Sequence, residues 1–394
     1  MQDTVLPEAK LYKDRNLHLI FGVTLMAVLG VSSITPSFPR IVEELGISKT
    51  DVGMLITVFT LPGVFLSPFM GVLADRFGRK RILVPSLFLF GLAGGACALT
   101  REFHTLLALR ALQGVGVASL SALFATLIGD LFSGERMAAA MGLNSSVLST
   151  GATTFPLIGG ALATFGWNYP FLLPLAAIPL GFLILWYMHN TKPRRGSSLR
   201  EYLVSTWSYL KSIRAASAYI AGVIAFTLSY GAKFTYFSLY LGTRFNASPF
   251  VIGGIISSMS ISTALVATQL GRLVRIISVA NLVKLGFALC AVPLLLIPFV
   301  QRLEMMLILT IVYGAGWAII VPCIQIYISG LAPSEYRAIL MSINSTMFRL
   351  GQTLGPLIVG LAYTYGDFKG AFLFAGGLAL ITAIVGFIGG RIIR

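Results

Sequence analysis

The chain alternates long apolar runs with short polar breaks. A helix crossing a bilayer needs about 20 apolar residues. By that measure the pattern predicts twelve spans, at 17–38, 51–71, 82–99, 105–127, 137–163, 169–190, 215–242, 249–270, 281–300, 304–330, 338–364 and 369–390. The run after Lys10, Lys13 and Arg15 is too long for the apolar core of a signal peptide and lacks a convincing cleavage site, so it reads as the first span. The longest break, 191–214, contains Pro193 and Gly196 and separates six spans from six. The expected architecture is therefore an all-α polytopic membrane protein, with six-helix bundles at 1–190 and 215–394. The 191–214 linker, with its basic start and its Tyr202, Leu203, Trp207 and Leu210, reads as a partly helical segment on the inner membrane surface.

The two halves are copies. At a shift of 200 residues, ten of the 23 positions from Ala138 to Gly160 are identical, among them Asn144/Asn344, Gly151/Gly351 and Pro156/Pro356. The same ungapped register pairs Gly53 with Gly253, Gly114 with Gly314, Gly116 with Gly316 and Glu135 with Glu335. Two six-helix repeats related by an axis along the membrane normal are the architecture of a rocking secondary transporter.

Charge refines this picture without altering it. Only 11% of the residues are charged and 56% are hydrophobic, yet the net charge is +15. A nucleic-acid binder would cluster its basic residues on a polar face. Here they fall in the breaks, so no nucleic-acid partner is expected. If the N-terminus is inside, inner connections and tails hold 20 Lys/Arg and outer ones six. That bias predicts two cytoplasmic termini in a multi-pass protein of the inner or cytoplasmic cell membrane. Cys97, Cys290 and Cys323 sit in apolar runs and read as buried thiols. No metal-ligand spacing and no GxxxxGK[ST] nucleotide loop occurs, so neither a metal, a cofactor nor ATP is expected.

Three motifs carry a resemblance. GVLADRFGRKR, Gly71 to Arg81, lies between spans 2 and 3. Span 4 holds the run from Arg110 through Gln113 and Gly114 to Gly116. Span 5 holds Gly151-Ala-Thr-Thr-Phe-Pro156-Leu-Ile-Gly159-Gly160. Over its whole length the chain resembles the major facilitator superfamily, nearest to its bacterial twelve-helix exporters of drugs and aromatic compounds. The span 5 run is similar to a signature of drug/proton antiporters but departs from it: Phe155 precedes Pro156, and the Gly355-Pro356 pair stands in the second half instead. The resemblance implies a conformational lock built from Gly71, Asp75, Arg76, Gly78, Arg79 and Asp130. In it Asp75 would engage the start of span 11 near Arg337 to Leu340, and Arg79 would engage Asp130.

Away from the span ends lie three cations, Arg110, Lys233 and Arg349, and no acid lies mid-span. An ionisable residue inside a span is a functional candidate by default. Arg349 is twelve residues beyond Arg337, about 18 Å along a helix, with Gln352, Thr353 and Ser345 on its face. It either lines a cavity or caps helix-end carbonyls. Arg110, with Gln113 one turn on, either faces the cavity or snorkels to the outer surface. Lys233 stands among Tyr230, Tyr236, Phe237 and Tyr240, as a cavity residue or as a snorkelling lysine in an aromatic belt. Asn144, Gln325 and Trp317 complete the expected lining. Three cations without an acid would make an electropositive cavity suited to neutral or anionic compounds. Arginine does not deprotonate in proteins, whereas a buried lysine can. Lys233 is therefore the foremost proton carrier, with Asp130 and Asp75 as alternatives.

The reading that follows is a monomeric, proton-coupled secondary transporter exporting small aromatic or amphiphilic compounds by alternating access, and not an enzyme. An organic-anion importer or exchanger on the same fold is one rival. A non-transporting membrane enzyme or sensor is another.

Overall fold

The computed structural model describes residue 11 and residues 14–188, 213–331 and 334–385. Most of the 191–214 linker lies outside these, so the expected surface segment there is not described. The described chain is helical. We number the helices α1 (Arg15–Leu45), α2 (Met54–Phe77), α3 (Arg79–Cys97), α4 (Phe103–Leu131), α5 (Gly134–Ala163), α6 (Tyr169–Tyr187), α7 (Arg214–Phe245), α8 (Pro249–Ile276), α9 (Val279–Phe299) and α10 (Leu303–Ser329). The last helical stretch, Ser334–Val385, runs through a corner at Gly366 (φ −150°) and Asp367 (φ 51°). Asp367 combines that φ with ψ −154°, outside both helical regions, in a conformation that residues with a Cβ rarely adopt. The corner divides the stretch into α11 (334–365) and α12 (368–385), so the two spans expected at 338–364 and 369–390 are joined almost without a loop.

Local chemistry sets the helix ends. The Asp14 carboxylate accepts from the N–H groups of Asn16 and Leu17 and so caps α1. Glu102 does the same for α4 through His104 and Thr105, and these donors hold its carboxyl down to about 2. Ser248 caps α8, with Pro249 in the first turn, where its missing N–H is not needed. α1 outruns its expected end because the chain passes through a short 3-10 turn at Thr35–Ser37, beside Pro36, and continues helically to Leu45.

Within the first half, α2 packs on α4, α3 on α4, and α1 on α5; within the second, α8 packs on α10, α9 on α10, and α7 on α11. The approaches repeat with the sequence. A Cβ on Gly114 would lie 2.2 Å from the Phe59 carbonyl oxygen, and one on Gly314 would lie 2.3 Å from the Met259 carbonyl oxygen. Both pairs are related by the 200-residue shift.

The halves meet through α5 against α8 and α2 against α11. These seams are also repeat equivalents. Gly253 lies under the Pro156 carbonyl, with a hypothetical Cβ 2.2 Å from the oxygen, and Gly53 lies against the Pro356 ring, with a Cβ 3.1 Å from it. Glycine at positions 53 and 253 lets the helices of opposite halves approach this closely.

Candidate functional site: the seam between the halves

The seam is closed at the end of the bundle that carries Gly53 and Gly253. There the Thr57 hydroxyl donates to the Thr353 carbonyl at 3.1 Å, and the Thr60 and Thr353 hydroxyls share a hydrogen bond of 2.9 Å. On the other seam Ser260 donates to the Ala152 carbonyl at 3.1 Å. Beyond these contacts the facing helices become exposed: Phe65 and Phe69 on α2, Ser145 and Leu148 on α5, Ile261 and Leu265 on α8, and Ser345 on α11. The crevice between the halves thus opens toward the end that carries Gly71 to Arg81.

Arg349 sits where closure stops. Its half-buried side chain reaches from α11 onto α2, and a Cβ on Gly63 would lie 2.3 Å from its Nη1. Among the described residues its guanidinium has no ion pair and no hydrogen-bond acceptor, and every Asp and Glu of known placement stands at a helix end or in a connection. Beside it is an aromatic cluster. The Phe226 ring centroid is 4.5 Å from that of Phe348, 5.1 Å from Trp317 and 6.1 Å from Tyr230, and Tyr230 is 5.4 Å from Phe234. The Tyr230 hydroxyl is within electrostatic reach of Arg349.

Helix α7 is wound to place this cluster. From Leu228 to Phe237 it is a π-helix, and the Thr235 hydroxyl donates to the Tyr230 carbonyl five residues back at 2.8 Å. The widened turn rotates the residues that follow. Tyr230 and Phe234 therefore share the Phe226 cluster, while Lys233 and Phe237 face into the second half. π-turns recur at functional sites. Residue-by-residue propensity carries no signal for one, and the sequence reading missed it.

The other expected lining residues fall elsewhere, and the picture of three cations around one cavity is corrected. Arg110 and Gln113 are fully buried inside the first half. Arg110 Nε donates to the Leu55 carbonyl at 3.2 Å, its Nη1 donates to Gln113 Oε1 at 2.6 Å, and its Cζ lies 4.0 Å from the Phe59 ring centroid. These contacts tie α4 to α2, and with no exposed surface the arginine neither snorkels nor lines an open space. Lys233 and Phe237 border a cavity of about 20 Å³ within the second half, with Met259, Pro293, Thr310 and Tyr313. That is room for about one water. The Lys233 ammonium lies 4.2 Å from the Phe234 ring centroid. Asn144 accepts the Thr24 hydroxyl at 2.7 Å inside the first half. Gln352 is half-buried one turn from Arg349, and Gln325 is half-buried on α10 without a contact that joins it to the cluster. Of the cations, Arg349 alone stands at the seam.

The motif between α2 and α3 is a tight corner. Gly78 has φ 97°, a conformation that side chains disfavour. Arg79 Nε donates to Asp130 Oδ2 at 2.9 Å, with both side chains largely buried, which joins the start of α3 to the end of α4 within the first half. Gly71 faces open space, and the Arg76 guanidinium lies 5.7 Å from the Phe77 ring centroid. The Asp75 side chain lies outside the described set, as does the contact expected for it with α11. In the α5 motif, Gly151 packs on Leu25, Gly159 on the Ser33 carbonyl and Gly160 on the Pro249 carbonyl, so α1 and α8 flank one glycine-rich helix. Gly355 offers its carbonyl to Gly231 of α7.

The family model of the Major Facilitator Superfamily matches residues 20–278 and 218–391. The chain belongs to the Major Facilitator Superfamily. It is a transporter and not an enzyme, and a multi-pass membrane protein. Among curated relatives, it is 26% identical over 353 residues to the Quinolone resistance protein NorA of Staphylococcus aureus, covering 89% of this chain and 90% of the relative. It is 26% identical over 363 residues to Multidrug resistance protein 2 of Bacillus subtilis, with 90% of each covered. A crystal structure of a variant of the nucleoside transporter NupG superposes with a TM-score of 0.81 at 14% identity, over 94% of this chain and 98% of that one. The human organic anion transporter MFSD10 does so with a TM-score of 0.71 at 18% identity, over 96% and 100%. Both structures share the superfamily fold.

Proposed function

We propose that the protein is a proton-coupled exporter of small aromatic or amphiphilic compounds, working by alternating access as a monomer in the cell membrane with both termini cytoplasmic. The observation that carries this reading is the placement of Arg349 and the Phe226–Tyr230–Trp317–Phe348 cluster at the blind end of the crevice between the halves. A compound entering there meets both halves at once. Opening the closed seam and closing the crevice would then pass it from one side to the other. Under the lysine and arginine census the crevice opens inward, as export requires for loading.

The two relatives named for quinolone and multidrug resistance support the same direction of transport. Stacking on the cluster contributes about 0.5–1.5 kcal/mol per well-placed aromatic pair, which suits planar cargo of varied outline. For coupling, Lys233 is the intramembrane cation able to give up its charge. Arg79 and Asp130, paired here while the crevice is open at that end, would hold the motif so that Asp75 can engage α11 in the state closed there.

Efflux of a fluorescent aromatic dye from cells overproducing the protein, measured across imposed pH gradients, tests the reading. Export should accelerate when the outside is more acidic. Rates indifferent to the gradient would remove proton coupling, and net uptake would favour the organic-anion importer or exchanger.

A further inference from the structure

We infer that the end of the second half that carries Arg272, Arg275 and Lys284 is a docking surface for the head groups of anionic phospholipids. The inference concerns the bilayer and not the cargo, so it stands apart from the export reading. It starts from an asymmetry between the repeats. In the first half the cations at this end are engaged inside the protein. Arg79 pairs with Asp130, the Lys80 ammonium donates to the Met188 carbonyl at 3.1 Å, and the guanidinium groups of Arg15, Arg76 and Arg136 lie over the rings of Tyr187, Phe77 and Phe132. Of the cations between α2 and α3, Arg81 alone has no such contact among the described residues.

The second half lacks these partners. At the 200-residue shift, Val279 and Gly330 stand where the first half has Arg79 and Asp130, and Arg275 stands where it has Asp75. The second half has thus lost the shielded pair and gained a positive charge. Arg272 donates to the neutral Gln269 at 3.1 Å. Arg275 and Lys284 have no ion pair, hydrogen bond or ring contact among the described residues, and no described acid side chain stands at this end of the half. Arg272 and Arg275 are exposed and one turn apart on α8, so they share a face. Lys284 lies five residues into α9, about 7.5 Å from its start, a depth that its long stem spans. Topology-setting charge would account for cations at this end of both halves, but not for their being partnered in one and free in the other.

The apolar company identifies the anion. Ile276 follows Arg275 with 81% of its surface exposed, and Leu285 follows Lys284 with 41% exposed. A free phosphate ion would use neither. A phospholipid sets its phosphodiester on the cations and its acyl chains against the two apolar side chains. An arginine forks onto phosphate oxygens, and anionic lipids attract basic clusters beside membrane helices.

Purified full-length protein in mixed detergent micelles tests this, with a trace of pyrene-labelled phosphatidylglycerol or phosphatidylcholine of matched chains. The readout is the labelled lipid that co-elutes per protein. The wild-type protein should retain at least about threefold more phosphatidylglycerol than phosphatidylcholine at low salt, and the excess should shrink as salt rises. The triple variant Arg272→Gln, Arg275→Gln, Lys284→Gln should lose most of the excess. Arg15→Gln, Arg81→Gln, Arg136→Gln removes the same charge from the first half and should keep it. Equal retention of the two lipids by the wild-type protein overturns the inference. So does an equal loss in both triple variants, which would reduce the effect to net charge. Millimolar inorganic phosphate, set against chloride of the same ionic strength, should not displace the lipid, and displacement would overturn the choice of a lipid over a free anion. The efflux measurement tests export separately, and the comparison of the two lipids in the wild-type protein needs no variant to fold.

Discussion

Arg349 of α11 rests on Gly63 of α2, its Nη1 occupying ground within 2.3 Å of where a Cβ on Gly63 would stand. A methyl there must displace the guanidinium, the far end of a flexible side chain, so Gly63→Ala should cost less than about 1 kcal/mol of stability. What it should change is the seam, because Arg349 is the last contact before the crevice opens. A cysteine at Thr57, inside the closed end, should react faster with a membrane-impermeant thiol reagent when Gly63→Ala is also present, and faster still with Gly63→Leu. Equal labelling rates would show that the Arg349 position does not bias the closed end.

The repeat also leaves one polar group stranded. Asn144 is satisfied by the Thr24 hydroxyl, but the repeat equivalent of Thr24 is Ile224, and both amide atoms of fully buried Asn344 lack a partner. Ile224→Thr should supply the missing hydroxyl. A net intramolecular hydrogen bond contributes about 1 kcal/mol, and relieving a buried unsatisfied amide adds to that. The thermal midpoint in detergent should rise for Ile224→Thr and fall for Ile224→Val, which removes a methylene without adding a donor. A fall in both would mean that Asn344 already has a partner, such as a bound water.

Arg79 and Asp130 should behave as one unit. Their 2.9 Å contact is mostly shielded, at 11% and 16% side-chain exposure, unlike a surface ion pair. Arg79→Ala and Asp130→Ala should each destabilise by roughly 2 kcal/mol, as expected for a hydrogen bond to a charged group. The double variant should lose far less than the sum, with a coupling on the order of 1–2 kcal/mol. Strict additivity in denaturation midpoints would deny the pair any energetic role.

The span pattern, the duplication and the family were legible because each is written in composition and spacing: apolar length, glycine and proline register, and the Gly71 to Arg81 motif. Depth was legible too, since rise per residue places Arg349 mid-span. Azimuth was not. Arg110, Lys233 and Arg349 all read as intramembrane cations, yet helix rotation turns Arg110 onto the Leu55 carbonyl, Lys233 into the second half and Arg349 alone to the seam. For Lys233 the cause is the π-helix from Leu228 to Phe237, which breaks the 3.6-residue period from which any face would be read. For Arg110 it is the close approach of α2 at Gly114, a tertiary fact with no local trace.

Lys233 tests coupling separately from cargo. It lies off the seam, so neutralising it should leave the aromatic cluster and Arg349 intact. Lys233→Met should preserve exchange of an aromatic substrate across the membrane in proteoliposomes when the substrate is present on both sides, because exchange needs no net proton movement. It should abolish the acceleration of net efflux by an inwardly directed proton gradient. Lys233→Arg, which keeps the charge but cannot release the proton, should share the loss, which separates titration from charge as the cause. If both variants respond to the gradient as the wild-type protein does, the coupled proton travels through some other group. The inner-end carboxyls of Asp130 and Asp75 would then be the next to substitute.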